Sequence, residues 1–482
     1  MTSATFPTTG LFVTASLLVM TPACAQAGTA AGNESSAVSQ LLLNELIAAN
    51  GVPGMGAAVW RDGEIIWAGS AGVRDVERQL PVDQGTIFRL ASVSKLITAT
   101  AVARLAQDGQ IDLDAPIATI LPYLHAPWPT ITARQLASHT AGLPHYQEID
   151  GDRGGVRYPD SASAVRIFSD RALLFQPGER YSYSSWGYTL LGALIEQKAG
   201  RPFFDYAASV VTSGLAVTTD ITDSGDPAAS HAYEFVEHIA RRAAPHDYSY
   251  TWGGGGLAAT PTALAQLGGR MLRNEIVSAE TFAAMLRPAT LADGNSVEDE
   301  DYRVGLGWRT GTDRDGARIA HHAGVTSGAR STLLLWPDQD TAVSLLSNAV
   351  WVSAIEQSAQ MIAAPFRPTP ESLIRTNCPV DARNYAGQFG DVAVHGTIIF
   401  AMTNGVCTGT MALDLPIAAY VNGRPQHEVT SLRLIGIDQW GGLSRAGLVT
   451  PIGIYDLRSE GGGRFRTIFN ATRQLVITIS SD

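Results

Sequence analysis

The sequence lacks three features that would each point to a particular class of protein. It contains no run of lysine and arginine, and its 34 basic residues face 45 acidic ones, which gives a net charge of −11. This argues against nucleic acid as a partner. The apolar run at residues 11–20 is too short to span a bilayer, and no other stretch is long and apolar enough. Three cysteines allow at most one disulfide within the chain.

The N-terminus nevertheless has the pattern of a secretion signal. Residues 11–20 form a ten-residue apolar run, and Pro22 and Ala23-Cys24-Ala25 follow it as a small-residue cleavage site. No lysine or arginine precedes residue 24, so the usual basic segment is missing. We expect residues 1–25 to be a signal peptide that directs the protein to the periplasm. A lipoprotein attached at Cys24 is disfavoured, because Thr21-Pro22-Ala23 lacks the expected leucine-like residue.

Removal of such a signal would leave two cysteines, Cys378 and Cys407. In an oxidising compartment these two residues could pair. The alternative, that both remain as free thiols, stays open from the sequence alone.

Composition and length predict a multidomain globular protein: 45% of the 482 residues are hydrophobic and 16% are charged. Small polar residues at 26–37 are typical of a disordered leader, and a helical pattern begins at 38. Hairpin patterns occur near residues 55–68 and again near 331–347. We therefore expect an antiparallel sheet built from both ends of a domain at 38–364, with a helical subdomain flanking it.

The remaining part of the chain has a different character. Residues 365–379 are rich in proline and predict a linker. Residues 380–482 contain short strand-like runs between glycine turns, which predict a small all-β domain of barrel or sandwich type. This part carries no combination of residues typical of acid–base chemistry.

A candidate active site begins at residues 88–112. Ser92 and Lys95 lie three apart where an apolar helical pattern begins, so the two side chains would share a helix face. A serine hydroxyl becomes a good nucleophile when a neighbouring base takes its proton. Tyr183 precedes a second helical pattern that runs to Gly200. His139 is expected to close a turn rather than to carry protons.

The order and spacing of these segments resemble the serine β-lactamase-like hydrolases, which include class C β-lactamases, D-alanyl-D-alanine carboxypeptidases, and related esterases and peptidases. The resemblance covers about residues 38–366. Its signatures are S-x-x-K at 92–95, the tyrosine motif at 183–185, and H-x-G at 322–324, where class C enzymes have K-T-G. The stretch GLGW at 305–308 also matches. The motifs look most like the mitochondrial β-lactamase-like serine peptidases and their bacterial relatives.

The resemblance implies an α/β protein with the β-lactamase/transpeptidase-like fold that hydrolyses an amide or ester through an acyl-enzyme. Ser92 would be the nucleophile, Lys95 the general base and Tyr183 the proton shuttle. His322 would shape the site from the third motif. Backbone N–H groups of Ser92 and Val325 would form the oxyanion hole.

Two positions depart from the family pattern. Ser185 stands where the family has the asparagine of Y-x-N, and His322 replaces the lysine of K-T-G. Serine cannot offer the paired donor and acceptor of an amide. We therefore expect a peptidase or esterase rather than a dedicated β-lactamase, with Ser185 and Gly324 contacting the substrate.

Other interpretations remain. The chain could be a catalytically inactive binding or assembly protein, or a true β-lactamase. A metal site at His321 and His322 is disfavoured, because adjacent residues on a strand point to opposite faces. We expect no metal and no cofactor, and a small-molecule, peptide or ester substrate as the partner; the oligomeric state stays open. Specificity is expected from the loops at 145–165 and 222–250, with four candidate cleft residues: His145, Tyr146, His231 and His246.

Overall fold

The two hairpins from opposite ends of the hydrolase domain lie side by side. In the computed structural model, strand Gly54–Arg61 pairs antiparallel with strand Thr341–Ser347, so that Met55 lies opposite Ser347. The structure describes residue 1 and residues 23–124, 128, 130–219, 225–236, 239–422, 429–438, 441–470 and 472–480. The predicted signal peptide therefore lies almost wholly outside the described residues.

The pairing of the hairpins is the centre of a nine-stranded antiparallel sheet, as the sequence predicted. From one edge to the other, the strands are Leu80–Pro81, Glu64–Asp75, Gly54–Arg61, Thr341–Ser347, Ala329–Trp336, Arg318–Thr326, Arg309–Thr312, Tyr302–Val304 and Glu298–Asp299.

Both faces of this sheet are covered. Successive side chains of strand Gly54–Arg61 alternate between two apolar cores, one on each face. Met55, Ala57 and Val59 belong to one apolar core, whereas Ala58 and Trp60 belong to the other. Helices Ala23–Asn50 and Ile355–Ala363 pack on the first face, and helix Pro261–Leu272 packs on the second. A strand that is apolar on both faces fits this sandwiched position.

The helical subdomain surrounds helix Ser185–Ala199, in which every residue from Ser185 to Ile195 is buried. A helix that is buried on all sides belongs at the centre of a core. It ends at Gly200, whose φ of 64° is the left-handed cap that glycine favours. The other helices of this subdomain are Ser94–Gln107, Ala133–Ala137, Ser161–Val165, Phe203–Val210, Trp252–Gly255 and Ala279–Leu286. Short strands complete it: Phe88–Arg89, Leu257–Ala259 and Val217–Thr219 form one sheet, and Tyr233–Val236 and Ile239–Arg242 form another.

The C-terminal domain is a closed eight-stranded barrel, which decides between the two predicted architectures. Its strands are Ala382–Phe389, Val392–Thr403, Val406–Ala412, Ser431–Gly436, Arg445–Thr450, Gly453–Gly461, Arg464–Asn470 and Arg473–Ile479, with helix Leu415–Val421 between the third and fourth. Closure removes the exposed edges that an open sheet would have. Between Phe366 and Ala382 the chain has no helix or strand, and Cys378 and Cys407 form a disulfide that ties this segment to the barrel.

A network of buried charges joins the barrel to the hydrolase domain. Arg367 Nη2 lies 2.7 Å from Asp313 Oδ2, and Arg458 Nη2 of the barrel lies 2.6 Å from Asp315 Oδ1 of the hydrolase domain. Arg445 Nη2 contacts Asp456 Oδ2 at 2.8 Å. Buried pairs of this kind are costly to break, because each leaves a partner charge uncompensated. The barrel is therefore held in a fixed position.

One prediction about the N-terminal part is wrong. Helix Ala23–Asn50 extends across residues 26–37, which composition predicted to be a disordered leader. The helix has no acidic residue in its first turn, so the charge that often marks the start of a helix was missing. Within the described residues, none of the helices is both long enough and apolar enough to cross a bilayer.

Candidate active site

Ser92 lies in a single 3₁₀ turn, Ala91–Val93, immediately before helix Ser94–Gln107. Ala91 has a φ of +46°, a conformation that L-residues with a side chain rarely adopt. Such strain persists only where surrounding structure enforces it, and it is concentrated at functional sites. Ser92 is partly exposed and lines a cleft of about 570 Å³.

Lys95 is fully buried beneath this turn. Its Nζ lies 3.2 Å from Ser92 Oγ and 2.9 Å from Ser185 Oγ, and donates to Gly254 O at 2.5 Å. Burial lowers the pKa of Lys95 well below its usual range, and the positive charge of Arg309 lowers it further. A neutral amine has a lone pair that can accept the proton of the Ser92 hydroxyl, so the geometry and the protonation state agree.

Arg309 is a site residue that sequence reasoning missed. Its guanidinium pairs with Asp299, with Nε 2.6 Å from Oδ2, and lies 5.7 Å from the centre of the Tyr183 ring. The sheet brings Arg309 to the site, since strand Arg309–Thr312 pairs with strand Arg318–Thr326. Its position directly after the GLGW stretch was the available signal.

Tyr183 lies above Lys95, with Nζ 4.9 Å from the ring centre. Burial raises the pKa of Tyr183 to about 12, although hydrogen bonding to Ser92 and the charge of Arg309 act in the opposite direction. The phenol is therefore protonated near neutral pH. It can pass a proton by donating and accepting, whereas Lys95 is the better base.

His322 and Gly324 come from strand Arg318–Thr326. His322 is buried, its ring centre is 6.3 Å from that of Tyr183, and its Nδ1 lies 2.6 Å from Ala323 O. Burial, with Arg309 and Lys95, lowers the pKa of His322, so the ring is neutral. At Gly324 a Cβ atom would lie 2.4 Å from Leu90 O. Only glycine lets this strand approach the turn that carries Ser92, which is the approach that the predicted oxyanion hole requires.

A family model described as beta-lactamase matches residues 40–358, which is more than half of the chain. The chain belongs to the beta-lactamase family. The match includes the positions of Ser92, Lys95, Tyr183 and His322, and it ends before the barrel begins.

Several relatives in the beta-lactamase family are known. The mitochondrial serine beta-lactamase-like protein LACTB of Homo sapiens is 24% identical over 393 residues, covering 62% of this chain and 72% of that protein. A D-aminopeptidase of Gluconobacter oxydans is 26% identical over 66% of this chain and 60% of its own length. Esterase EstB of Burkholderia gladioli is 34% identical, over 33% of this chain and 45% of its own length.

Two solved structures match beyond the hydrolase domain. The crystal structure of SurE has a TM-score of 0.58 and 22% identity, covering 93% of this chain and 99% of that one. The octameric penicillin-binding protein homologue from Pyrococcus abyssi has a TM-score of 0.56 and 19% identity, covering 90% and 97%. At these identities the likeness concerns the fold.

Ser185 is the first position where the site departs from the beta-lactamase family pattern. Its hydroxyl lies within hydrogen-bond distance of Lys95 Nζ, and its backbone N–H donates to His145 Nδ1 at 3.2 Å. Because Nδ1 accepts this bond, the neutral ring carries its proton on Nε2. His145 lines the cleft, and burial lowers its pKa to about 4. A neutral donor from another loop thus lies beside the short serine side chain.

The other residues singled out from the sequence occupy three kinds of position: structural, lining the cleft, and outside the cleft. His139 is buried at a φ of +61° and accepts the backbone N–H of Ser184 at its Nδ1, 3.1 Å away. This is the structural position that the sequence predicted. Tyr146 and His246 line the cleft. His231 instead lies 3.6 Å from Asp75, outside the residues that line the cleft.

The two adjacent histidines point to opposite sides of the strand, as predicted. His321 packs against Tyr302, with ring centres 4.3 Å apart, whereas His322 lies next to Tyr183. In the described parts of the chain, the cluster with the spacing of metal ligands is Asp75, Glu77 and His231. Its members are not among the residues that line the cleft with Ser92, and they do not include the histidine pair.

Proposed function

We propose that this protein is an exported serine hydrolase that cleaves an ester or amide through a covalent acyl-enzyme. The observation that carries this proposal is the contact between Ser92 Oγ and Lys95 Nζ, 3.2 Å apart, with Lys95 buried and its pKa lowered. A base within hydrogen-bond distance of a serine is what acyl transfer requires.

In the proposed reaction, Lys95 accepts the proton of Ser92 as Oγ attacks the substrate carbonyl carbon. The carbonyl oxygen becomes an oxyanion that accepts hydrogen bonds from the N–H groups of Ser92 and Val325. The proton then passes through the Tyr183 hydroxyl to the leaving alcohol or amine, and the carbon–heteroatom bond breaks. Water, deprotonated along the same route, attacks the acyl-enzyme and releases the acid.

The substrate is better described as an ester or peptide than as a β-lactam. Ser185 is engaged with Lys95 and offers no amide to the substrate, and His322 is neutral where K-T-G enzymes carry a cationic lysine. A neutral ring binds a carboxylate less strongly than an ammonium group does. Relatives named as an esterase and as a D-aminopeptidase agree with this choice.

Export to the periplasm is part of the proposal. The apolar run at 11–20 with its cleavage site motivates it, and the disulfide between Cys378 and Cys407 supports it, because such bonds persist in oxidising compartments. N-terminal sequencing of the protein from cell fractions tests this. A mature chain beginning at residue 26 in the periplasm is expected; an intact N-terminus in the cytoplasm would contradict export.

The acyl-enzyme is tested by labelling with a fluorophosphonate probe and with penicillin, followed by intact-mass analysis. The wild type should gain one adduct, and Ser92→Ala should gain none while keeping the same unfolding midpoint. Equal labelling of both proteins would overturn the mechanism and favour a non-catalytic role.

Substrate class is then resolved with short p-nitrophenyl esters, D-amino-acid peptides and nitrocefin. We expect turnover of an ester or peptide. Nitrocefin as the best substrate would instead indicate a true β-lactamase.

A further inference from the structure

The catalytic cleft does not end at the hydrolase domain. A second cavity of about 470 Å³ adjoins the cleft that contains Ser92. Both cavities are lined by Glu300, Tyr302, Arg330 and Glu356. Each alone is large enough for a small ligand, since such sites usually measure roughly 300–1,000 Å³. The combined volume of the two cavities is larger than a short ester or a single amino acid would fill.

The far wall of the second cavity belongs to the barrel, through Tyr420, Tyr455, Phe469 and Asn470. The aromatic rings support one another: Tyr455 and Phe469 have ring centres 4.4 Å apart, and Tyr420 and Phe469 5.4 Å. Rings held in this way are preformed surfaces for a ligand rather than side chains that must first become ordered.

The barrel wall is fixed relative to Ser92. Besides the buried ion pairs, backbone and side-chain hydrogen bonds join the two domains beside the cavity. Ala354 N donates to Ile452 O at 2.9 Å, and Ile454 N donates to Ser358 Oγ at 3.0 Å. The second cavity is thus built from two domains that are joined directly beside it.

His321 lies beside the first cavity, next to the wall that the two cavities share. It is fully buried, lines the cleft and packs on Tyr302, which lines both cavities. Within the described part of the chain, neither of its ring nitrogens has a hydrogen-bond partner. Buried polar side chains are rarely left without a partner, and those that are call for a functional explanation. His321 therefore keeps an unused donor and acceptor beneath Tyr302, the ring that separates it from the shared wall of the two cavities.

The charge of the shared wall favours one kind of ligand. Glu300 and Glu356 contribute two carboxylates, and Arg330, whose Nη2 donates to Ser353 O at 2.9 Å, contributes one cation. Arg309 is already balanced by Asp299. The charged side chains that line the two cavities are three carboxylates and two guanidinium groups, so their balance is negative. Arg473, 5.0 Å from the centre of the Tyr420 ring, already places one cation on the aromatic wall, and aromatic faces next to carboxylates attract cations.

We propose that the enzyme takes an elongated substrate, which is acylated at Ser92 and carries a positively charged group that binds between Glu300, Glu356 and the aromatic wall of the barrel. This deepens the proposed function and rests on it. The chemical class is a peptide or ester chain with an amine several bonds from the scissile carbonyl.

The first test compares p-nitrophenyl esters in which the acyl chain has two or about eight carbons and ends in methyl, ammonium or carboxylate. A parallel set places the same chains on the leaving group. In at least one set, kcat/KM for the long ammonium ester should exceed that for the long carboxylate ester at least tenfold. No preference in either set would overturn the proposal.

The charge preference is then assigned with Glu356→Gln and Glu300→Gln. The quantity compared is the ratio of kcat/KM for the ammonium and methyl esters within each variant, so a general loss of activity cancels. The ratio should fall several-fold in each variant. An unchanged ratio in both would show that the carboxylates do not bind the substrate.

The role of the barrel is tested with Asn470→Cys in the chain that begins at residue 26, in which the other two cysteines, Cys378 and Cys407, form the disulfide. The matched control is Val392→Cys, on an exposed barrel hairpin outside both cavities. Modification with a trimethylammonium methanethiosulfonate should lower kcat/KM for the long ester more than tenfold relative to the short one in Asn470→Cys, and leave the ratio unchanged in the control.

The two proposals can fail separately. If the ratios of kcat/KM show no preference for the long ammonium ester while Ser92 is still labelled and short esters are still hydrolysed, only the elongated substrate is refuted. Absence of labelling and of short-ester turnover would refute the serine hydrolase itself.

Discussion

Two sets of buried cations in this protein have opposite surroundings. Lys95 is fully buried, and its described partners are two hydroxyls and a carbonyl oxygen. Arg367 and Arg445 are also buried, but each faces aspartate carboxylates at the junction with the barrel. Burial without a counter-charge neutralises a lysine, whereas burial with one keeps an arginine charged. The first arrangement suits the base that we propose for the reaction, and the second holds two domains together.

The largest effect is expected from Lys95→Met, which removes the base and keeps the volume. We expect kcat to fall roughly 10²–10⁴-fold, the usual contribution of a positioned general base, while the free energy of unfolding changes by no more than about 1–2 kcal/mol. Ester hydrolysis and urea unfolding measure the two quantities.

Lys198→Arg is the matched control, because Lys95 and Lys198 are the only lysines of the sequence. It should leave both quantities unchanged. Full activity of Lys95→Met would show that another group deprotonates Ser92.

The next largest effect is expected from Asp313→Ala, which leaves Arg367 buried without its closest carboxylate. Breaking one partner of a buried pair typically costs about 3–5 kcal/mol, and we expect a loss of this size in urea unfolding. Asp338→Ala is the control, since Asp338 pairs with Arg318 at the surface and such pairs contribute about 1 kcal/mol or less. Similar losses in the two variants would remove the distinction between buried and exposed pairs.

The pH dependence of kcat/KM follows from the neutral lysine. Activity requires unprotonated Lys95, so it should fall about tenfold for each pH unit below the lowered pKa of that residue. Tyr183, with its pKa raised to about 12, should impose no loss below about pH 11. An alkaline loss that begins near pH 8 would contradict the assignment of Tyr183 as the proton shuttle with a raised pKa.

The smallest effect is expected from removing the influence of Arg309 on the pKa of Lys95. The double variant Arg309→Gln/Asp299→Asn removes the nearby cation without leaving an unpaired carboxylate, so the pKa of Lys95 should rise and the acid limb of activity should move to higher pH. Arg303→Gln, on the neighbouring strand and exposed, is the control. With ¹³C-labelled lysine, NMR gives one signal for Lys95 and one for Lys198, which serves as an internal reference. A Lys95 titration that does not move would exclude Arg309 as a cause.

Much of the fold could be predicted because its signals are local. Hairpins with a turn between two apolar runs, and strands between glycine turns, are set by neighbouring residues. The choice between barrel and sandwich could not be predicted, because closure of the barrel depends on the pairing of strand Ala382–Phe389 with the distant strand Arg473–Ile479. The start of helix Ala23–Asn50 was missed because its first turn carries no acidic residue and residues 26–37 are small and polar.

The candidate site likewise combines contacts that are local in the sequence with contacts between distant parts of the chain. Ser92 and Lys95 could be paired from their spacing, because helix geometry fixes the contact. Arg309, Asp299 and the bond from Ser185 to His145 could not, because they depend on strands and loops that meet only in the folded protein. The second cavity is lined by residues of both domains, so no local sequence pattern could predict it.

The central pairing of the sheet has a consequence for when the proposed active site can be completed. Strand Gly54–Arg61 must wait for strand Thr341–Ser347, which is synthesised far later. Contacts between such distant parts of a chain form slowly, because the loop between them must first be closed. A nascent chain that already contains Ser92, Lys95 and Tyr183 still lacks the strand that brings Gly324 to the nucleophile. The order of synthesis therefore leaves the proposed active site incomplete until residue 347 has been made.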